Sequence, residues 1–142
     1  MRYVAVFDTN ILISALLSLN GTPFRCLALA KIGQIESVMC QEILDEFSEK
    51  LTLKFRFSEE VARTAIEEVR QFSRLVEISG ALRAVSDDTD DDMVVECAVI
   101  GKATPIVTGD KHLLALGSYQ SIAIVKAAEF IALIESNEII EP

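Results

Sequence analysis

Residues 2–8 read RYVAVFD, and this short stretch decides the class of the fold. Its β-branched and aromatic residues form a compact apolar run, which predicts a buried β-strand over residues 2–7. Similar apolar runs recur along the chain, and segments with helical spacing separate them. Strands that alternate with helices favour parallel pairing and right-handed crossovers. The sequence therefore predicts an α/β fold whose first strand ends directly at Asp8.

The remaining pattern places the other elements. Further strands are predicted over residues 35–39, 75–78, 104–108 and 122–125. Helices are predicted over residues 11–19, 22–33, 41–54, 59–72, 91–100, 111–116 and 126–135, with Ser58 as the cap of the fourth. No linker, repeat or low-complexity tract interrupts this order. We expect one domain over residues 1–142, a three-layer α/β/α fold with a central, mostly parallel sheet of four to five strands.

Composition excludes several classes of protein. A chain of 142 residues with 51% apolar residues can bury a stable core without a disulfide or a structural metal. Its three cysteines are too few and too scattered for a disulfide framework, so a reducing cytoplasm is expected. Charged residues such as Lys31 interrupt every apolar stretch, and the N-terminus lacks the features of a signal peptide. We expect neither a membrane span nor a membrane partner.

Three acidic residues are predicted at one edge of the sheet. Asp8 follows the first strand, Asp110 follows the fourth, and Asp91 opens a helix. In open parallel sheets, ligands bind beyond the carboxyl ends of the strands. Clustered carboxylates repel one another unless a proton or a cation neutralises them, and Mg²⁺ or Mn²⁺ is the cation such oxygens prefer. Two such ions can activate a water and hold both oxygens of a phosphodiester displacement.

Each acid also has an ordinary structural explanation. Asp8 could start a turn, Asp110 could cap a helix, and either Asp90 or Asp91 could cap the helix that follows them. The whole acidic run over residues 87–92 could be a solvated loop. The combination of the three acids, rather than any one of them, favours a site.

Three segments of the sequence resemble the PIN-domain family. Asp8-Thr9-Asn10 after an apolar strand resembles the opening signature of the family. Residues 88–98, DTDDDMVVECA, resemble its central segment, an acid that opens a helix with a small residue seven positions on. Residues 107–114, VTGDKHLL, resemble its closing segment. The spacing is similar to that of VapC-like toxin ribonucleases, the toxin components of toxin–antitoxin pairs, and the resemblance extends from about residue 3 to residue 130.

The resemblance implies a metal-dependent endoribonuclease that uses Mg²⁺ or Mn²⁺. Carried over residue by residue, the metal-binding and catalytic acids are Asp8, Asp91 and Asp110, with Glu46 as the fourth. Glu42 stays open as an alternative to Glu46, because residues four apart share a helix face. Thr9, Asn10 and Thr108 would orient the carboxylates or a bound water. The implied partners are an RNA substrate, an antitoxin protein and a second copy of the chain in a homodimer.

Two positions depart from the family pattern. His112 stands where many relatives carry another acid, and Thr89 stands where proline is frequent. His112 is the sole histidine of the chain, and no serine nucleophile motif accompanies it. We therefore expect His112 to lie at the surface or the rim of the site rather than to act in catalysis.

The charge distribution bears on how RNA could bind. The net charge is −9, with 22 acidic against 13 basic residues, which by itself argues against a nucleic-acid partner. Six of the bases, however, fall between Lys50 and Arg74 among three phenylalanines, a mixture that suits a flexible single strand. Most of these bases are expected to pair with neighbouring glutamates on a helical hairpin. Lys54 and Arg56, on the link between two helices, are the predicted RNA contacts.

Other functions find less support. A phospho-acceptor receiver domain needs an Asp after its third strand, and no Asp occurs between Asp45 and Asp87. A phosphatase with an aspartyl nucleophile needs a second acid two residues after Asp8, where this chain has Asn10. No glycine-rich nucleotide-binding loop is present in the sequence. A receiver-like domain or a catalytically silent binding module remains the alternative to a nuclease.

Overall fold

A mostly parallel sheet forms the centre of the protein. The computed structural model describes residues 2–85 and 88–140, with side chains up to residue 136. Within these residues the sheet has six strands in the order β3-β2-β1-β4-β6-β5. They are β1 (Val4–Phe7), β2 (Glu36–Met39), β3 (Ser73–Leu75), β4 (Ile106–Val107), β5 (Ser118–Tyr119) and β6 (Ile122–Val125). Every neighbouring pair is parallel except β5 with β6, so the predicted α/β class is confirmed.

Helices connect the parallel strands, as right-handed crossovers require. The described residues form α1 (Thr9–Leu17), α2 (Thr22–Lys31), α3 (Gln41–Glu49), α4 (Glu59–Phe72), α5 (Thr89–Gly101), α6 (Lys111–Leu116) and α7 (Ala127–Ile140). A π-helical turn, Lys50–Lys54, extends α3. The hydroxyl of Ser58 accepts a hydrogen bond of 3.1 Å from the backbone N–H of Val61, so the predicted cap of α4 is confirmed.

Both faces of the sheet are covered. Consecutive residues of a strand point to opposite faces, and Ala5, Val6 and Phe7 of β1 are all fully buried. The same holds for Ile106 and Val107 of β4. Burial on both faces is the mark of a parallel sheet between two layers of helices, and it explains why these strands read as continuous apolar runs.

The sheet differs from the prediction in its number of strands. It has six strands rather than four to five, because Ser118–Tyr119 pairs antiparallel with β6 as a short hairpin. A two-residue strand carries too little apolar pattern to be recognised in the sequence. The additional strand lies at the edge of the sheet, next to β6 and away from β1.

The third strand is displaced from its predicted position. It occupies Ser73–Leu75 rather than residues 75–78, directly after α4. Polar contacts with β2 fix this register: the hydroxyls of Ser37 and Ser73 lie 2.8 Å apart, and Arg74 forms an ion pair with Glu36. The apolar run on which the prediction was based, residues 75–78, begins at Leu75, the last residue of β3 that pairs with β2.

The central helix α5 begins two residues earlier than predicted. Its cap is Asp88, whose side chain accepts a hydrogen bond of 2.9 Å from the N–H of Asp90. Asp91 is therefore inside the first turn instead of opening the helix. At the other end, a Cβ on Gly101 would overlap the side chain of Val38, so glycine allows α5 to pack directly on β2.

The cysteines and the helix lengths of the described residues bear on two further points. Cys26, Cys40 and Cys97 are all buried free thiols. Among the described residues, no single helix is long and apolar enough to cross a membrane. Within the same residues, α1 and α2 taken together pass that test, and they meet at an angle of 101°.

Candidate functional site

Asp8 lies where β1 ends and α1 begins. Its Oδ1 accepts a hydrogen bond of 2.7 Å from the N–H of Thr9, and its Oδ2 accepts bonds of 2.9 Å from Asn10 and 2.7 Å from Thr108. The carboxyl is buried, and this burial raises its pKa although the hydrogen bonds from Thr108 and Thr9 oppose the change. Asp8 is thus a desolvated acid held in one orientation by three donors.

Asp110 follows β4 on the neighbouring strand. It caps α6, since its Oδ1 accepts hydrogen bonds from the N–H groups of His112 at 2.8 Å and Leu113 at 3.1 Å. Its own N–H donates to the hydroxyl of Thr108 at 3.0 Å, and this hydroxyl in turn donates to Asp8. Thr108 therefore connects the two acids. The capping role that the sequence allowed for Asp110 and its place beside Asp8 occur together.

Asp91 completes the group of predicted acids. It is 5% exposed, and its Oδ2 has no hydrogen-bond partner within the part of the chain that the structure describes. Its pKa is raised to about 7, first by burial and then by the charges of Asp110, Asp88 and Asp8. A contact with the carboxyl of Asp110 also favours the protonated form of Asp91. Three acids from distant segments thus act on one another electrostatically at one edge of the sheet.

Glu46 lies on α3 beside these acids. Its pKa is raised, first by burial, while the hydroxyl of Thr9 lowers it and a hydrogen bond with Asp90 raises it. Among the described residues, no hydrogen bond of ordinary length reaches the buried hydroxyl of Thr9, so its oxygen lies farther from Glu46 than a normal hydrogen bond. Glu42, one turn earlier, instead lies near the thiol of Cys40, where its charge partly opposes the lowering of the pKa that the side chain of Cys97 causes. The structure brings Glu46, rather than Glu42, next to the residue that follows Asp8.

Two charged residues of the site were missed in the sequence. The positive charge of Lys50 lowers the pKa of both Asp8 and Glu46. Asp90, which the sequence offered only as a helix cap, contacts Glu46. The spacing of four between Glu46 and Lys50 on one helix was the available signal for Lys50. The pattern of the acidic run held no such signal for Asp90.

Other acids of the central segment have structural roles. Oδ1 of Asp92 accepts hydrogen bonds from the N–H groups of Ala84 at 2.7 Å and Val85 at 2.6 Å. Glu96 is buried, yet its pKa is lowered, because hydrogen bonds from Ser79 and from the backbone that follows outweigh the effect of burial. Both carboxylates tie the segment before α5 to this helix. Asp87, also part of the acidic run, lies outside the described residues.

The chemistry of the donors fits a hard divalent cation. The four predicted ligands offer only carboxylate oxygens, the donors that Mg²⁺ and Mn²⁺ prefer. The orphaned buried oxygen of Asp91 and its raised pKa are what a cation would relieve. Across residues 2–85 and 88–136, however, no three side chains of His, Cys, Asp or Glu are arranged to hold one ion. The acids would therefore have to draw closer around a metal.

The remaining predicted residues lie at the surface. Lys54, Arg56 and His112 are exposed, as expected for His112. The ammonium group of Lys54 lies 5.6 Å from the centroid of the Phe55 ring. Arg56 has a positive φ of 58° where the chain turns towards α4. These positions leave both basic side chains accessible to solvent.

Comparisons with known proteins agree with this architecture. The family model described as the PIN domain matches residues 4–112. The chain is also similar to a chain in the crystal structure of VapBC2 from Rickettsia felis bound to a DNA fragment from their promoter, with a TM-score of 0.60 and 12% sequence identity. That similarity covers 85% of this chain and 96% of the other. No curated protein matches the chain by sequence.

Proposed function

The chain belongs to the PIN-domain family, and on this basis we propose that it is a metal-dependent endoribonuclease that hydrolyses RNA phosphodiester bonds. One observation carries the proposal. Asp8, Asp91 and Asp110 come from three distant segments and converge on the carboxyl edge of the sheet, where one buried carboxylate oxygen has no partner among the described residues. An arrangement that costs folding energy without a cation is expected where the cation has a function.

Mg²⁺ or Mn²⁺ would be held by Asp8, Asp91, Asp110 and Glu46. Such an ion supplies a water activated at neutral pH and compensates the negative charge that develops on the phosphate. Thr108 and Asn10 fix the orientation of the Asp8 carboxylate and favour its charged form. Lys50 adds a positive charge beside the same acids, which opposes the rise in the pKa of Asp8 and Glu46 that burial causes.

The solved VapBC2 complex supports an antitoxin as the protein partner. We propose that the chain is the toxin component of such a pair, forms a homodimer and acts on RNA in the cytoplasm. An apolar groove of about 220 Å³ between the helical pairs α1–α2 and α3–α4 is available to a partner that presents apolar side chains. Leu19 and Phe24 line this groove and are 63% and 38% exposed, so such a partner would cover apolar surface there.

Nuclease activity is tested by incubating the purified protein with structured and single-stranded RNAs, with and without Mn²⁺. We expect cleavage that requires the metal and that falls by 100-fold or more in Asp8→Asn, about the upper loss for a disturbed metal site. Asp45→Asn is the matched control. It removes the same charge by the same substitution, but from an exposed position on α3 outside the acidic cluster. No cleavage under any condition would contradict the proposal. Transfer of phosphate from a small phosphodonor to the protein would favour the receiver-like alternative.

A further inference from the structure

An open cleft of about 670 Å³ lies beside Asp110. Its walls come from the start of α1, the π-helical turn, the loop after β4 and the start of α7. The lining includes Asn10, Ser14, Lys50, Asp110, Lys111 and Lys126. A volume of this size falls in the range of roughly 300–1,000 Å³ that is usual for ligand sites.

Three lysines from three separate elements converge on this cleft. Lys50 belongs to the π-helical turn, Lys111 begins α6, and Lys126 directly precedes α7. Among the described residues, none of the three forms an ion pair, whereas Arg2, Arg25, Lys31, Arg70 and Arg74 all do. In a chain of net charge −9, unpaired cations grouped in one cleft form a local binding surface for an anion.

The position of the cleft relates this surface to the acids. Lys50 is close enough to Asp8 and Glu46 to lower their pKa values, while Lys111 follows Asp110 in the chain. The lysine cleft therefore lies beside the acidic cluster and borders it at Asp110. Asn10 and Ser14 add polar side chains to the wall, and the small side chains of Ala127 and Ala128 leave room at the start of α7.

We propose that this lysine cleft binds the phosphate backbone of single-stranded RNA next to the bond that is cleaved, with Lys111 and Lys126 contacting successive phosphates. The inference rests on the proposed nuclease function and adds a substrate path to it. It also explains how an acidic protein can hold a polyanion: the cations grouped in this cleft would pair with the phosphates and offset the surrounding negative charge locally. Lysine suits this role because an ammonium group pairs with phosphate without reading the base.

The test compares two double variants in metal-free buffer, so that RNA is bound without being cleaved. Binding of a fluorescent single-stranded RNA is followed by anisotropy over a series of salt concentrations. For Lys111→Gln/Lys126→Gln we expect the log–log salt slope to become shallower by about 1.4, at about 0.7 for each phosphate that the protein no longer neutralises. Lys31→Gln/Arg63→Gln removes the same charge from exposed positions elsewhere and should leave the slope near that of the unmodified protein.

A conservative variant separates charge from folding. Lys111→Arg/Lys126→Arg should retain the original slope, because both cations remain, and thermal melts establish that all variants are folded. An equal slope in the glutamine variant and the unmodified protein would overturn the cleft as the RNA site. If the unmodified protein cleaves RNA while the slope is unchanged, this inference alone fails. If it binds RNA through the lysines and never cleaves it, the proposed nuclease function fails and the cleft stands.

Discussion

The hydroxyl of Thr108 lies 2.7 Å from Oδ2 of Asp8 and donates a hydrogen bond to it across 100 positions of sequence. Both residues are buried at the ends of neighbouring parallel strands. The same hydroxyl accepts the N–H of Asp110, so one small side chain sets the geometry of two acids. Removal of that hydroxyl should therefore change the protein in more than one way.

Thr108→Val tests this relationship. Valine keeps the branched shape but leaves the N–H of Asp110 without its acceptor, which should lower the free energy of unfolding by about 1–3 kcal/mol. The pKa of Asp8 should rise further, because the hydrogen bond from Thr108 lowers it in the unmodified protein. Binding of Mn²⁺ should weaken by about 10- to 100-fold. Urea unfolding and calorimetric titration measure the two effects. Thr108→Ser keeps the hydroxyl and should retain most of the stability and most of the Mn²⁺ affinity. Equal losses in the valine and serine variants would mean that the methyl group of Thr108 matters instead of its hydroxyl.

Asp91→Asn should stabilise the protein when no metal is present. The pKa of Asp91 rises from its ordinary value of 3.8 to about 7 on folding, so the folded protein keeps a proton that the unfolded chain releases. Stability should therefore fall as the pH rises from about 4 to about 7, and the variant should lose this dependence. We expect its melting temperature in EDTA to exceed that of the unmodified protein at pH 8, with little difference at pH 4.

The metal response of Asp91→Asn completes this test. Mn²⁺ should raise the melting temperature of the unmodified protein strongly and that of the variant weakly, because only a ligand that binds the folded state stabilises it. Helix capping should be unaffected, because the cap of α5 is Asp88. Equal metal responses, unchanged melting and normal RNA cleavage would remove Asp91 from the site.

Glu46→Gln and Glu42→Gln form a matched pair on one helix face. Glu46 interacts with Thr9 and Asp90 beside the acids, whereas Glu42 acts on the thiols of Cys40 and Cys97. We expect Glu46→Gln to reduce metal-saturated RNA cleavage by about 10- to 100-fold, the scale for removing a ligand of the metal or a side chain that orients one. Glu42→Gln should reduce RNA cleavage much less. The reverse ranking in turnover assays would move the fourth ligand to Glu42.

Lys54→Gln/Arg56→Gln tests the RNA contacts expected on the link before α4. Both side chains are exposed and can reach a phosphate in solvent. If each binds one phosphate, the salt slope for single-stranded RNA should become shallower by about 0.7 per residue. Anisotropy titrations in metal-free buffer measure it. An unchanged slope would show that these two residues are only solvated and would leave the backbone to other cations.

Glu96→Gln should destabilise the protein in a manner that depends on pH. Hydrogen bonds from Ser79 and Gly80 stabilise its buried carboxylate and lower its pKa below the ordinary 4.5. The contribution of this carboxylate to the free energy of unfolding is complete above pH 4.5. It is lost as the pH falls through the lowered pKa of Glu96. At pH 7 the variant should lose about 1.5–3 kcal/mol, the scale for hydrogen bonds to a charged group. Urea unfolding at pH 7 and at pH 3 measures the difference. Glu77→Gln, an exposed change nearby, should have little effect at either pH.

The sequence by itself determined the elements and the acids that follow them. Continuous apolar runs and apolar faces of period three to four depend on neighbouring residues alone, so they predicted the α/β class and the positions of most strands and helices. Counting residues from the ends of β1 and β4 was enough to place Asp8 and Asp110 at one edge of the sheet. Local pattern offered Asp90 and Asp91 as caps of the same helix and missed Asp88, the residue that caps it.

Tertiary structure decided everything that depends on contacts between distant segments. The register of β3 follows from the hydroxyl contact between Ser37 and Ser73, which the apolar pattern does not contain. Packing of α3 and α5 on the sheet decides that Glu46 faces the acids and that Glu96 is used to hold a loop. Lys50, Lys111 and Lys126 are isolated in sequence and meet only because the order of strands brings their elements together. Sequence periodicity indicates which side of a helix or strand is buried. Strand order and packing determine which side chains from different elements come into contact.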